Sequence, residues 1–226
     1  MNKYNYLENF NKRKSWVNIV IDAILYTFII WILIFLLCYS SAVVYDISMQ
    51  PTLNTASATD QDVVYYTNIH KIERGDIVIL APEDSDWLIK RVVAFEGEKI
   101  RYEYNQESNV YDLYINNELY LENYVKESIT PEKLEENNNL KKYLDITDLT
   151  GYNPFASLKK MQENNFDEDG NYIVPKDTVF VMGDNRIHST DSKSLGGIEV
   201  SQIKGKVELI IPKGENLLWE VVKFIF

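Results

Sequence analysis

A long uncharged segment near the N-terminus constrains this chain more than any other feature. Residues 23–38 contain no charged side chain, and extending the segment to Val44 makes 22 residues. A helix rises 1.5 Å per residue, so about 20 apolar residues cross a hydrocarbon layer of about 30 Å. We therefore expect residues 23–44 to form a transmembrane anchor.

Charges on either side of the anchor predict its orientation. Three basic residues occupy positions 12–14, whereas Asp46 follows the segment, and an excess of basic residues marks the cytoplasmic side. A cleaved secretory signal ending at residues 40–42 is the alternative, but an apolar core longer than about 15 residues favours an anchor. We expect a single-pass protein of the cell membrane, with residues 1–22 as a short cytoplasmic N-terminus and residues 45–226 as an extracytoplasmic domain.

The charge, the single cysteine and the position of the glycine in an acidic loop exclude several classes of partner. From residue 41 onward the chain has 19 basic and 32 acidic residues, a balance that repels nucleic acid. The only cysteine, Cys38, lies in the apolar segment, which rules out an intrachain disulfide or a thiolate metal cluster. Residues 167–171 resemble a calcium loop, but the glycine falls at position 4 instead of 6. We expect no nucleic acid, no metal and no cofactor.

Eight segments after the anchor are rich in β-branched and aromatic residues, which is typical of strands. They span residues 62–66, 75–81, 87–95, 99–104, 111–116, 171–175, 178–182 and 205–212. Residues 127–171 form a polar excursion within a subdomain spanning 101–171, with short helices predicted after Thr130-Pro131 and at Asn153-Pro154. The apolar tail, residues 216–226, is too short for a second span and is expected to pack on the core.

This pattern predicts a mainly β fold. We expect an antiparallel-sheet domain built from strands on both sides of the polar excursion, together with a few short helices and one N-terminal transmembrane helix.

Ser48, shortly after the anchor, is a candidate nucleophile that requires a base to take its hydroxyl proton. His70 and His188, the latter three residues before Asp191, allow a Ser-His-Asp triad, but we expect both to be solvated polar residues. Lys90 is a second candidate, because burial in its apolar strand would lower its pKa from about 10.4 and leave a neutral amine. A lysine whose stem simply reaches water is the structural alternative.

Three separated segments, taken together with the anchor, resemble one family. The segments are SMQPTL (48–53), RGDIVI with IKRVVAFEGEKI (74–79 and 89–100) and VFVMGDNRIHSTDSKSLGG (179–197). They are similar to the bacterial type I signal peptidases, which are membrane-bound serine proteases with a Ser-Lys dyad. The resemblance implies a hydrolase that removes N-terminal signal peptides from secreted preproteins after small-x-small sites. Its partners would be those signal peptides and the lipid bilayer.

The resemblance also implies a role for individual residues. Ser48 matches the nucleophile, Lys90 the general base, and Ser189 the serine whose hydroxyl orients the lysine amine. Polar residues that brace this loop are matched by Asp184, Arg186 and Asp191. The substrate would bind as an added strand, with Ile47 and Ile89 as candidate walls of its shallow apolar pockets.

The chain departs from the family pattern at the expected oxyanion hole. The main-chain N–H of Ser48 is the best candidate donor, but Asp46 stands where the family carries Ser or Gly, and a carboxylate there would oppose the developing charge. We expect Asp46 to turn outward. Lys193 and Leu195 are lesser departures, and Lys cannot make the forked contact of the usual Arg. Alternatives are a catalytically weakened, membrane-tethered binding protein of the same fold and a self-cleaving Ser-Lys protein.

Overall fold

The computed structural model describes residues 3–54, 61–82, 86–125, 127–136, 154–215 and 220. The chain divides into two compact units, one spanning Met1–Ser40 and the other spanning Ser41–Phe226.

The N-terminal unit is one helix, α1, which spans Lys3–Cys38. Its part Trp16–Cys38 is long enough and apolar enough to cross a membrane. The helix ends six residues before the predicted end of the anchor at Val44, because Ser40–Val43 form strand β1 instead. Short hydroxyl side chains and valine favour an extended backbone over a helix, and this explains the earlier helix end.

The larger unit contains a seven-stranded sheet in the order β1-β2-β11-β3-β4-β9-β10. All pairs from β2 to β10 in this order are antiparallel. Besides β1, its strands are β2 (Val63–Thr67), β3 (Ile77–Leu80), β4 (Leu88–Phe95), β9 (Thr178–Met182), β10 (Ile198–Glu199) and β11 (Ile203–Ile211). Strands from both sides of the polar excursion alternate in this sheet, as the sequence predicts.

A second, four-stranded antiparallel sheet has the order β7-β6-β5-β8. Asn116 and Asn117 join β6 to β7, and their φ angles of 52° and 68° suit the tight turn of a hairpin. The strands of this sheet are β5 (Lys99–Asn105), β6 (Val110–Ile115), β7 (Glu118–Leu119) and β8 (Tyr172–Ile173).

Three short α-helices lie in the described part of the larger unit, in addition to two 3₁₀ turns at Glu163–Asn165 and Val200–Gln202. The α-helices are α2 (Pro131–Glu136), α3 (Ala156–Met161) and α4 (Ser192–Leu195). Helix α2 begins at the predicted proline, whereas α3 begins two residues after Pro154, and the predicted cap Asn153 lies outside the described residues. The tail at 216–226 also lies outside them, apart from Glu220. The prediction of a mainly β, antiparallel fold with a few short helices and an apolar N-terminal helix is confirmed.

The main core lies where the two sheets contact each other. Strands β4 and β9 of the first sheet contribute Val93, Ala94, Phe180 and Met182, and the second sheet contributes Ile100, Leu113 and Tyr172. Strand β4 is therefore buried from Ile89 to Ala94. A lysine in the middle of this strand is held away from water on every side.

Candidate active site

Ser48 and Lys90 meet in the larger unit. Ser48 lies in a turn between β1 and β2, and Lys90 lies in the buried strand β4. The Lys90 Nζ atom is 2.7 Å from Ser48 Oγ and 2.9 Å from the main-chain oxygen of Ile89. Ser48 is 1% exposed and Lys90 is 2% exposed, so the hydrogen bond between them is shielded from water.

The surroundings of Lys90 favour its neutral form. Burial lowers the pKa of Lys90 from its usual range, and the nearby carboxylates of Asp191 and Asp46 offset only part of this effect. A neutral amine has a lone pair that accepts a proton, which an ammonium lacks. At 2.7 Å this amine can take the hydroxyl proton of Ser48 directly.

The turn that presents Ser48 is fixed by Asn54 and Asp62. The Asn54 N–H donates to Asp62 Oδ2 at 2.7 Å, and the Asp62 N–H donates to Asn54 Oδ1 at 3.0 Å. The Asn54 amide nitrogen also donates to the main-chain oxygens of Val44 and Asp46. Asn54 has a φ of 53°, a left-handed conformation that Asn tolerates better than most residues. Neither Asn54 nor Asp62 is among the site residues predicted from the sequence.

Asp184 joins the strand of Lys90 to the turn of Ser48. Arg91, the neighbour of Lys90, donates from Nε to Asp184 Oδ1 at 2.8 Å and from Nη2 to the other carboxylate oxygen. Thr52, four residues after Ser48, donates its hydroxyl to the same carboxylate. A two-point arginine–carboxylate contact has a defined geometry, so Asp184 fixes β4 and the Ser48 turn relative to each other. Arg91 and Thr52 are not among the site residues predicted from the sequence.

Arg186 binds a residue that the sequence analysis missed. Its Nη2 donates to Glu122 Oε1 at 2.6 Å, and its Nη1 contacts the other oxygen of that carboxylate. Its Nε donates to the main-chain oxygen of Gly183 at 3.0 Å, and its Nη1 also donates to the Tyr102 hydroxyl. Glu122 follows β7 of the second sheet, and no local sequence pattern connects it with a loop 64 residues later.

Asp191 caps the N-terminus of α4 and holds the start of the same loop. Its carboxylate accepts the Gly183 N–H at 2.9 Å and the Lys193 N–H at 3.0 Å. The Lys193 ammonium donates to both carboxylate oxygens, at 2.8 and 2.6 Å. Burial alone would raise the pKa of Asp191, but Lys193 and these hydrogen bonds hold that pKa below its usual range. Lys193 thus contacts both oxygens of this carboxylate, although it lacks the fork of an arginine.

Ser189 packs against Gly183. A Cβ atom built on Gly183 would lie 2.3 Å from Ser189 Oγ and 2.4 Å from the main-chain oxygen of Ser48. Ser189 Oγ is buried without a well-aligned hydrogen bond in the described parts of the chain, although it is near enough to lower the pKa of Asp191. The described hydrogen bonds of the Lys90 amine go to Ser48 and Ile89, and the expected contact with Ser189 is absent from them.

Asp46 is exposed, and its Oδ1 accepts the Ile47 N–H at 2.7 Å. Ile47 is half-buried and Ile89 is 9% exposed. The Ile89 side chain belongs to a core cluster that contains Met49 and Leu53.

The main-chain oxygen of Ser48 accepts the Asn185 N–H at 3.0 Å. Leu195, the last residue of α4, is exposed.

Neither histidine is a described hydrogen-bond partner of Ser48. The His70 ring is hydrogen-bonded to Glu208 Oε1 at 2.7 Å, and His188 is exposed to solvent. Ser48 Oγ instead has Lys90 as its described side-chain partner. Across the described residues there is also no group of three or more His, Cys, Asp or Glu side chains that could hold a metal ion.

Comparison with known proteins places the sequence of this chain in a family. Residues 13–212 match the family described as signal peptidase, peptidase S26. Signal peptidase IB of Staphylococcus aureus (strain COL) is 28% identical over 160 residues, which cover 71% of each chain. Signal peptidase I P of Bacillus subtilis subsp. natto is 31% identical over 207 residues, covering 89% of this chain and 94% of the relative.

A crystal structure of a signal peptidase I from Enterococcus faecalis has 22% identity and a TM-score of 0.38, covering 62% of this chain and 98% of its own. The family match and the relatives extend over most of this sequence. The chain therefore belongs to the signal peptidase family, peptidase S26, and is a serine peptidase whose hydrolytic activity removes signal peptides.

Proposed function

We propose that Ser48 and Lys90 are the catalytic dyad of this signal peptidase. The observation that carries the proposal is the 2.7 Å distance between Lys90 Nζ and Ser48 Oγ in a buried site. The Lys90 amine takes the hydroxyl proton while Ser48 Oγ bonds to the scissile carbonyl carbon. Lys90 then gives the proton to the leaving amine, and a water molecule releases the acyl group from Ser48.

Other residues of the site have supporting roles in this proposal. Asp184 holds the loop after β9 against β4 through Arg91, and Asp191, paired with Lys193, holds the start of that loop through the Gly183 N–H. The Ser48 N–H donates to the developing oxyanion, and main chain with water completes the hole. The Asp46 carboxylate, engaged by the Ile47 N–H, takes no part in it.

The substrate in this proposal is a signal peptide that ends in a small-x-small sequence. It binds as an extended strand beside Ser48, and its small side chains meet the apolar surface next to Ile47 and Ile89.

The apolar part of α1 anchors the enzyme in the cell membrane in this proposal, with the basic residues 12–14 on the cytoplasmic side. The peptidase domain then lies outside the cytoplasm. Ser48 follows the end of the helix by ten residues, so the nucleophile stays tethered to the membrane in which signal peptides reside.

The test is cleavage of a preprotein by the purified full-length chain in detergent. The wild type and Lys204→Ala, which removes an exposed lysine of β11, are expected to cleave at the small-x-small site. Ser48→Ala and Lys90→Ala are expected to lose at least about 10³-fold in kcat. Activity in folded Lys90→Ala, with loss in His188→Ala, would revive the histidine triad. No cleavage by the wild type would favour the membrane-tethered binding protein.

A further inference from the structure

Glu122 connects the second sheet to the loop that borders Ser48. It lies in the segment 120–125 that follows β7, and its carboxylate contacts the Arg186 guanidinium through both oxygens. The Arg186 side chain is 2% exposed and the Glu122 side chain is 11% exposed. A buried guanidinium that loses its carboxylate is strongly destabilised, so the orientation of Arg186 depends on Glu122.

Tyr124 supports this pair from the same segment. Its hydroxyl donates to Glu122 Oε1 at 2.8 Å. The centre of its ring is 4.1 Å from the guanidinium carbon of Arg91 and 5.8 Å from that of Arg186. Attraction between a cation and an aromatic face is strongest within about 6 Å. The segment 120–125 thus contacts both arginines of the site, including the one next to Lys90.

Arg186 passes this constraint to the nucleophile through Gly183. Its Nε donates to the Gly183 main-chain oxygen at 3.0 Å, and the Gly183 N–H donates to Asp191. The Gly183 Cα is packed so tightly against Ser48 and Ser189 that an added Cβ would lie within 2.4 Å of Ser48 O. If Arg186 turned away from Gly183, one of the hydrogen bonds that hold this close contact would be lost.

We infer that Glu122 is a positioning residue for the peptidase reaction, acting through Arg186 and Gly183 on the alignment of Ser48 with Lys90. This inference rests on the proposed Ser48/Lys90 chemistry. The segment that follows β7 of the second sheet thereby has a function in catalysis, because it supplies the carboxylate that holds the catalytic loop. Misplacement of reacting groups by about 1 Å lowers a rate about 10²-fold, so a residue without substrate contact has a large effect on kcat.

The test compares kcat and KM of the full-length enzyme for one preprotein. We expect Glu122→Gln, which removes the charge, to lower kcat by about 10- to 100-fold. Glu122→Asp keeps the charge on a shorter stem, and its kcat should lie between that of Glu122→Gln and that of wild type. KM should change less than about twofold, because substrate contacts are retained. The matched control is Asp167→Asn, which removes a carboxylate of similar exposure paired with Lys99 elsewhere in the larger unit, and its kcat should equal that of wild type.

A mutant cycle separates a specific role from general loosening. Once Arg186→Met has removed the guanidinium, Glu122→Gln should cause no further loss of kcat. If the decreases in kcat of the two single variants multiply in the double variant, the inference is overturned. A wild-type kcat in folded Glu122→Gln would overturn it as well. If Glu122→Gln does not fold, a wild-type kcat in Glu122→Asp overturns it as well. Failure of the proposed dyad is distinct, because Ser48→Ala would then cleave as wild type does.

Discussion

Lys90 must lose a proton before it can act as the base in the proposed mechanism. Because burial lowers its pKa, kcat/KM should rise with pH and level off below the usual lysine value of about 10.4. The measurement is a pH profile of kcat/KM for preprotein cleavage. A profile that is flat from about pH 6 to 10 would contradict the assignment of Lys90 as the base.

The same lysine should make folding stability depend on pH. Its folded pKa is lowered, so the unfolded chain binds more protons between that pKa and about 10.4, and stability rises with pH across this interval. Lys90→Met should therefore gain most in Tm, relative to wild type, at pH values below the folded pKa. The gain should shrink as the pH approaches the unfolded value.

Thermal unfolding of both proteins from about pH 6 to 10 checks this expectation. Lys204→Met, at an exposed position, is the control and should show a difference from wild type that does not vary with pH. A difference between Lys90→Met and wild type that is equally independent of pH would be evidence that Lys90 keeps an ordinary pKa in the folded protein.

Asp46 stands at the position where a carboxylate could oppose the oxyanion. Its Oδ1 instead accepts the Ile47 N–H at 2.7 Å, and the residue is exposed. We therefore expect Asp46→Ser to change turnover by less than about tenfold, since removal of a carboxylate aimed into the hole would have a larger effect. Turnover of a signal-peptide substrate measures this, and an increase of about tenfold or more would place the carboxylate in the hole.

At the scale of single elements, the turn after β9 requires glycine at position 183, because a side chain there would have no space. Gly183→Ala would place a Cβ within 2.6 Å of both Ser189 and the main chain of Ser48, closer than atoms can approach. We expect a loss of kcat of about 100-fold, because the two loops must separate. Gly97→Asn is the control, since a Cβ there meets nothing within 4 Å and Asn tolerates its left-handed φ.

The kinetic constants of both glycine variants, compared with their Tm values, test this expectation. A wild-type kcat in Gly183→Ala would mean that the Ser48 turn and the loop after β9 move apart without affecting catalysis.

Element by element, the sequence predicts the long strands well and the short ones poorly. Runs such as 87–95 and 178–182 are recognisable because β-branched and aromatic residues dominate them. Strands β7 and β10 have two residues each, too few for any alternation to be detected. Strand β1 is hidden because its residues continue an apolar run, and hydropathy alone does not distinguish a strand from the last turn of a membrane helix.

The site itself shows what a local pattern can and cannot reveal. The resemblance singles out Ser48 and Lys90, which the fold brings together, because each lies in a recognisable motif. Glu122 lies in no motif, and its contact with Arg186 depends on the arrangement of two sheets. The reciprocal pair of Asn54 and Asp62 is likewise produced by a turn whose geometry is set only in the folded chain.

At the scale of the whole molecule, the two compact units should be separable. Residues 39–226 keep strand β1 and the entire larger unit, whereas the apolar helix is lost. We expect the full chain to remain with membranes after washing at high salt, because an apolar helix of about 20 residues drives insertion. Residues 39–226, which lack this helix, should be recovered in the soluble fraction. Fractionation followed by blotting measures this. Recovery of residues 39–226 with the membranes would show that the anchor lies elsewhere.

Strand β11 comes from near the end of the chain but lies between β2 and β3 in the sheet. The turn of Ser48 adjoins β2, while Lys90 is on β4 beyond β3. A nascent chain that ends before residue 203 has no β11 to join these halves. The Ser48 turn and Lys90 therefore belong to one continuous sheet only when β11, which follows both of them in the sequence, has paired with β2 on one edge and β3 on the other.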